Sequence, residues 1–143
     1  KNVMKKEFIE KIQDVKLYHS DDANTPLGVA YDISKFPVDF GVTFKVFFFN
    51  LVPNKDYVIV LYYIAGNKPE ELHLLNNVTL NVQSGDMIKY QDGYGLAFGT
   101  FSTIFPIDQE GELMIVLELR ALDNMERILD TYSTYITFEE KAK

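Results

Sequence analysis

Carboxylates are the side chains of this sequence best suited to chemistry, and they collect in its turns. Residues 108–112 (DQEGE) place Asp108, Glu110 and Glu112 at every second position. Such oxygen ligands suit Ca²⁺, although the stretch lacks the length and the closing bidentate Glu of an EF-hand loop. Paired carboxylates could also serve a glycosidase, but these acids lie in turns rather than on apolar strands that would raise a carboxyl pKa. Solvated turns are therefore favoured, with calcium binding and hydrolysis as alternatives.

The other reactive side chains are few. The sequence has no cysteine, which excludes disulfides, thiolate metal sites and a cysteine nucleophile. Its two histidines, His19 and His73, show no metal-ligand spacing, and no Gly-x-Ser-x-Gly elbow occurs. We therefore predict structural histidines, no cofactor, no metal and no catalytic residue.

Tyrosines supply a second set of candidates for binding. Tyr90 and Tyr94 flank the turn QDGYG, and two more tyrosines lie near the end of the chain. Exposed aromatic rings on a β-rich protein can contact peptides or sugars, although the absence of Trp weakens the sugar alternative. With the neighbouring acids they form the predicted ligand or partner surface: Tyr90, Asp92, Tyr94, Asp108, Glu110, Tyr132 and Tyr135.

Charge narrows the classes of partner. The formal net charge is −7, which disfavours nucleic acid and anionic membrane surfaces. No run of about 18 apolar residues occurs, so no membrane-spanning segment is predicted. Met4 followed by two lysines resembles a natural start of translation, which favours the cytoplasm.

The stretch that must position these residues is 38–51 (VDFGVTFKVFFFNL). Its even positions are apolar throughout, while its odd positions begin polar and end with Phe47 and Phe49. This period of two, the β-branched and aromatic composition and the flanking prolines favour a strand over a helix. We predict a central strand whose Phe44, Val46 and Phe48 form the heart of the core.

The remaining pattern predicts a β-rich chain. Residues 57–64 are apolar on both faces, which predicts an inner strand packed against 38–49. Residues 4–13 predict a short amphipathic helix, 20–37 a long loop with a short strand at 28–31, and 68–75 either a helical turn or an irregular crossover. Short turns and no long helices predict about eight strands in one domain over residues 1–143, an all-β, antiparallel two-sheet β-sandwich.

One short sequence segment resembles a motif of a known family. Residues 51–57 (LVPNKDY) resemble the Leu-x-Pro-x-x-x-Tyr corner of fibronectin type III and related immunoglobulin-like sandwiches. The resemblance implies that the Tyr57 hydroxyl bonds to backbone upstream of it. Strand order stays open between immunoglobulin-like and jelly-roll arrangements.

These patterns favour a non-enzymatic interaction or structural module that works through a protein partner or self-association. Edge strands of a sandwich can pair with a strand of another molecule. The alternative is a carbohydrate- or calcium-binding module.

Overall fold

The computed structural model describes residues 6–142 and contains ten strands. They are β1 (Lys11–His19), β2 (Asp22–Pro26), β3 (Val29–Ile33), β4 (Val38–Leu51), β5 (Tyr57–Ala65), β6 (His73–Leu80), β7 (Lys89–Gln91), β8 (Tyr94–Ile107), β9 (Gly111–Ala121) and β10 (Asn124–Glu140). A single 3-10 turn covers Ser84–Asp86.

The strands form two five-stranded sheets packed face to face. The first sheet has the order β2-β1-β4-β8-β7, and the second has the order β3-β10-β9-β5-β6. The prediction of an all-β two-sheet sandwich is confirmed. Within the described residues every ladder is antiparallel except the short one between β3 and β10.

The predicted central strand is β4, with the predicted bounds and in the middle of the first sheet. Phe44, Val46 and Phe48 are at most 1% exposed and belong to the same core cluster as Leu117 and Leu119 of β9. Successive side chains of a strand point to opposite faces, so the alternation of β4 sends one row into the core and the other to the outer surface. Strand β5 lies opposite in the second sheet, between β9 and β6.

The predicted N-terminal helix is wrong over the residues that the structure describes. Residues 6–10 are irregular, and β1 begins at Lys11. The predicted apolar face of the helix is not buried as one surface, since Phe8 is 68% exposed while Ile12 is buried in β1. The first residues of that helix and the expected start at Met4 lie outside the described range.

Residues 6–142 form ten strands rather than about eight. Strand β2 escaped the sequence pattern because all of its residues are exposed and none marks a buried face. The prediction of a helical turn or an irregular crossover over 68–75 is wrong for its last three residues. Strand β6 already begins at His73. Strand β3 runs parallel to β10 because the chain crosses between the sheets after β2 instead of returning through a hairpin.

Candidate functional site

A cavity of ≈ 220 Å³ opens at one end of the sandwich, between the turn after β5 and the turn after β8. Its floor is apolar and consists of core side chains, including Ile107, Leu113 and Phe138. Its volume is below the ~300–1,000 Å³ of sites for drug-sized ligands, so it suits one side chain or a small group.

Two stacked rings form one wall of this cavity. Tyr63 and His73 are directly opposite each other on β5 and β6, with ring centroids 4.9 Å apart and planes 22° apart. Phe105 packs edge-on against Tyr63 from the core side, at 5.9 Å. Burial raises the pKa of the Tyr63 hydroxyl, and the charge of Asp108 raises it further. Tyr63 therefore presents a neutral ring to the cavity near neutral pH.

The rim of the cavity is acidic. Among the described residues that line the cavity, Lys68 is the only lysine or arginine. Four lining residues carry carboxylates: Glu71, Asp108, Glu110 and Glu112. All four acids belong to exposed residues. Within residues 6–142, no group of three or more His, Asp or Glu side chains is arranged to hold a metal ion. The rim can attract a cation through charge without offering the convergent ligands that calcium needs.

Two turns hold the rim in place. Gly111 begins β9 with φ of +142°, a conformation that a residue with a side chain adopts only with strain. The Gly66 N–H donates to the Glu112 carbonyl at 2.8 Å and ties the two turns together. A side chain at Gly66 would bring its Cβ to 3.1 Å from that carbonyl oxygen, so a glycine permits the close approach.

The structure distributes the predicted surface residues over three places. Asp108 and Glu110 line the cavity. Tyr90, Asp92 and Tyr94 lie at the turn between β7 and β8, at the other end of β8. The remaining two are on β10, where Tyr132 packs against the core and bonds to Asp14 while Tyr135 is 63% exposed.

Tyr63 and His73 were not among the predicted site residues. Tyr63 lay inside a strand assigned to the core, and His73 was assigned a structural role. Their meeting depends on the pairing of β5 with β6. Recognising 73–80 as the hairpin partner of 57–65 would have placed the two rings side by side.

A second polar cluster fixes the start of the described chain to the fold. The Tyr57 hydroxyl accepts from the Val52 N–H at 2.9 Å and donates to the Glu10 carboxylate at 2.8 Å. Lys55 Nζ donates to the same carboxylate oxygen at 2.7 Å. The upstream backbone bond implied by the Leu-x-Pro-x-x-x-Tyr resemblance is thus present, with Tyr57 as its acceptor. Glu10 is 8% exposed, and the hydrogen bonds from Tyr57 and Lys55 offset the free-energy cost of burying its carboxylate.

Comparisons with known proteins identify no family. No family model matches the sequence, and no curated protein matches it significantly. Among solved structures, two crystal forms of a Mobiluncus mulieris adhesin superpose with TM-scores of 0.63 and 0.65 at 12% and 11% identity. Both cover 94% of this chain, which spans 58% of the adhesin chain. That adhesin contains intramolecular disulfide, isopeptide and ester cross-links.

A CARDB domain from Pyrococcus furiosus, solved in complex with di-metal ions, superposes with a TM-score of 0.51 at 14% identity. The match covers 93% of this chain and 96% of that domain. At such identities the likeness shows a shared immunoglobulin-like sandwich fold. Separately, none of the helical segments in residues 6–142 has the length and apolarity to cross a bilayer.

Proposed function

We propose that this protein is a non-enzymatic β-sandwich binding module that takes a basic side chain of a protein partner in the cavity beside Tyr63 and His73. The observation that carries the proposal is the stacked Tyr63–His73 pair inside a cavity with an acidic rim. The adhesin among the structural neighbours supports a role in contact with other molecules, at the level of the fold.

Arginine is the side chain that fits this cavity best. Its planar guanidinium stacks on aromatic faces, remains charged at every relevant pH and donates bidentate hydrogen bonds to carboxylates. The Tyr63–His73 pair offers aromatic rings in the cavity wall, and Asp108 and Glu110 offer exposed carboxylates on the same cavity. A cation over an aromatic ring contributes ~0.5–1 kcal/mol at exposed sites, and each exposed ion pair adds a similar amount. Affinity for one side chain is therefore weak, and a full partner must add contacts around the rim.

Calorimetric titration with blocked tripeptides tests the proposal. A peptide with arginine between two glycines should bind, whereas the same peptide with citrulline, which keeps the shape and loses the charge, should not. Replacing both rim acids, Asp108→Asn with Glu110→Gln, should weaken binding ~5-fold or more, because two exposed ion pairs are lost. The substitution Asp123→Asn is the matched control, since Asp123 is an exposed acid in the turn between β9 and β10, outside the cavity lining.

Equal affinity for the arginine and citrulline peptides would contradict the proposal. So would an affinity that the double rim variant leaves unchanged while the folded state is intact by circular dichroism.

A further inference from the structure

The outer face of the first sheet carries a basic and aromatic surface on an acidic protein. The ladders β1–β4, β4–β8 and β7–β8 set its residues side by side. Lys11 pairs with Phe49, Lys16 with Lys45, Phe47 with Phe98, and Lys89 with Leu96. We call it the lysine–phenylalanine face and define it by Lys11, Lys45, Lys89, Phe47, Phe49 and Phe98.

Lys45 spans two rings at the centre of this face. Its Nζ lies 5.2 Å from the ring centroid of Phe98 and 5.6 Å from that of Phe47. The two ring centroids are 6.0 Å apart. Phe98 is 50% exposed, so the core does not account for its position. The rings and the ammonium group together offer an apolar platform with a positive charge at its surface.

A shallow cavity of ≈ 130 Å³ continues the face toward β7. Two ammonium groups, two amides and a tyrosine line it above an apolar floor, and none of its lining groups within residues 6–142 is a carboxylate. The lining consists of Lys6, Lys89, Asn50, Gln91, Tyr94, Phe49 and Leu96. Such a lining is complementary to an anionic group, such as a carboxylate or a sulfate.

The acid that the β1–β4 ladder pairs with Phe47 bonds to the second sheet. Asp14 is the register partner of Phe47, but its carboxylate accepts a hydrogen bond from Tyr132 of the second sheet at 3.3 Å. Asp39 lies at the far end of β4, beside Pro106. The positive character of the face is therefore local, against a net charge of −7 for the chain.

We propose that the lysine–phenylalanine face binds an anionic polysaccharide, a chain of carboxylated or sulfated sugars lying across β1, β4 and β8. The C–H face of a sugar ring would stack on Phe98 and Phe47, and its acidic groups would pair with Lys45, Lys89 and Lys6. The adjoining row offers hydroxyls, since Thr43 and Ser102 are hydrogen-bonded to each other at 2.7 Å on the same face.

Other anionic partners fit this face less well. Duplex nucleic acid carries one charge per ~1.7 Å of its axis, so the net charge of −7 repels it more strongly than a sugar chain with one acidic group per ring. A membrane would need apolar groups projecting several ångströms, whereas Phe47 and Phe49 are half-buried in a strand. A peptide that adds to a strand edge would lie beside the sheet and not over the rings at its centre, since β4 is paired on both sides.

Titration of the full chain with polygalacturonate tests the proposal. We expect saturable binding that weakens with salt, and no binding of neutral dextran. Lys45→Gln should reduce affinity ~3-fold or more and lower the salt dependence, because it removes one charge contact. Phe98→Ala should reduce affinity ~5-fold or more even at high salt, because it removes a stacking surface.

Ile104→Ala is the matched control, because Ile104 is a 62% exposed apolar residue of the same strand and face, away from the lysines. The affinity of the Ile104→Ala variant for polygalacturonate should equal that of the unaltered protein. The proposal is overturned if polygalacturonate does not bind, if dextran binds equally, or if Lys45→Gln and Phe98→Ala leave affinity unchanged. Tighter binding of oligo-dT or of phosphatidylserine vesicles to the same residues also overturns it and assigns the face to another class of partner.

Discussion

At the scale of single residues, Tyr57 links two segments that lie 47 residues apart in the sequence. One hydroxyl joins the Val52 backbone to the Glu10 side chain, and the residue is 1% exposed. The first described residues are thereby attached to the corner between β4 and β5. The LVPNKDY phrase predicted the backbone half of this arrangement. The Glu10 half could not be predicted, because Glu10 lies within residues 4–13, which were predicted to form a helix.

Removal of the Tyr57 hydroxyl should destabilise the fold without changing it. Tyr57→Phe keeps the buried ring and leaves the Val52 N–H without its acceptor. We expect a loss of ~1–3 kcal/mol in the free energy of unfolding, the usual cost of an unsatisfied buried polar group. Urea denaturation measures it, with Tyr135→Phe as the control, since Tyr135 is exposed. A loss equal to that of the control would contradict this role.

The same hydroxyl should make stability depend on pH in alkaline solution. Burial raises the pKa of Tyr57 well above its usual 10.0. The hydrogen bond from the Val52 N–H opposes this rise, and the Glu10 carboxylate adds to it. Because the folded state holds this proton more tightly, its contribution to stability is complete below the unfolded pKa and is lost as pH rises above it.

The stability difference between the unaltered protein and Tyr57→Phe should therefore be constant below pH ~9 and shrink above pH ~10. Urea titrations at several pH values measure this difference, which cancels the effect of the other tyrosines and the lysines. A difference that grows with pH would contradict the assignment.

At the scale of elements, the two faces of β4 have opposite roles. Phe44 is fully buried and stacks on Phe101 with centroids 4.8 Å apart, whereas the outer row carries Lys45 and Phe47. The alternation of β4 was legible from sequence because every second residue is apolar. The surface formed by its outer row could not be predicted, because side chains of β1, β7 and β8 complete that surface.

Two phenylalanine truncations should separate these roles. Phe44→Ala should cost ~3–5 kcal/mol of stability, because it removes a ring from a closely packed core. Phe98→Ala should cost ~1 kcal/mol or less, because half of that ring is already in water. Thermal or urea unfolding measures both variants. Similar losses for the two would contradict the assignment of Phe98 to a surface platform.

At the scale of the whole molecule, the predictable features are those that repeat within one strand. The sandwich followed from alternating strands and short turns, and the acids of the 108–112 turn were correctly recognised as surface residues. The cavity was not predictable, because its ring wall requires His73 to meet Tyr63 across a ladder. Partners fixed by long-range register leave no local signal in the sequence.

The sandwich also separates charge over its surface. The acidic cavity lies at the end of β8 that leads into β9, and the basic cavity lies at its other end, beside β7. One strand of 14 residues thus connects a site suited to a cation with a site suited to an anion. The two cavities share no lining residue.

Aromatic proton–carbon NMR spectra of the protein during titration with the blocked arginine peptide test the central claim most directly. We expect saturable shifts of the Tyr63 and His73 rings, with Phe98 and Tyr135 unmoved, and their loss when Asp108 and Glu110 are replaced by Asn and Gln. Rings that do not shift, or that shift equally with the citrulline peptide, would contradict the claim that this cavity receives a basic side chain.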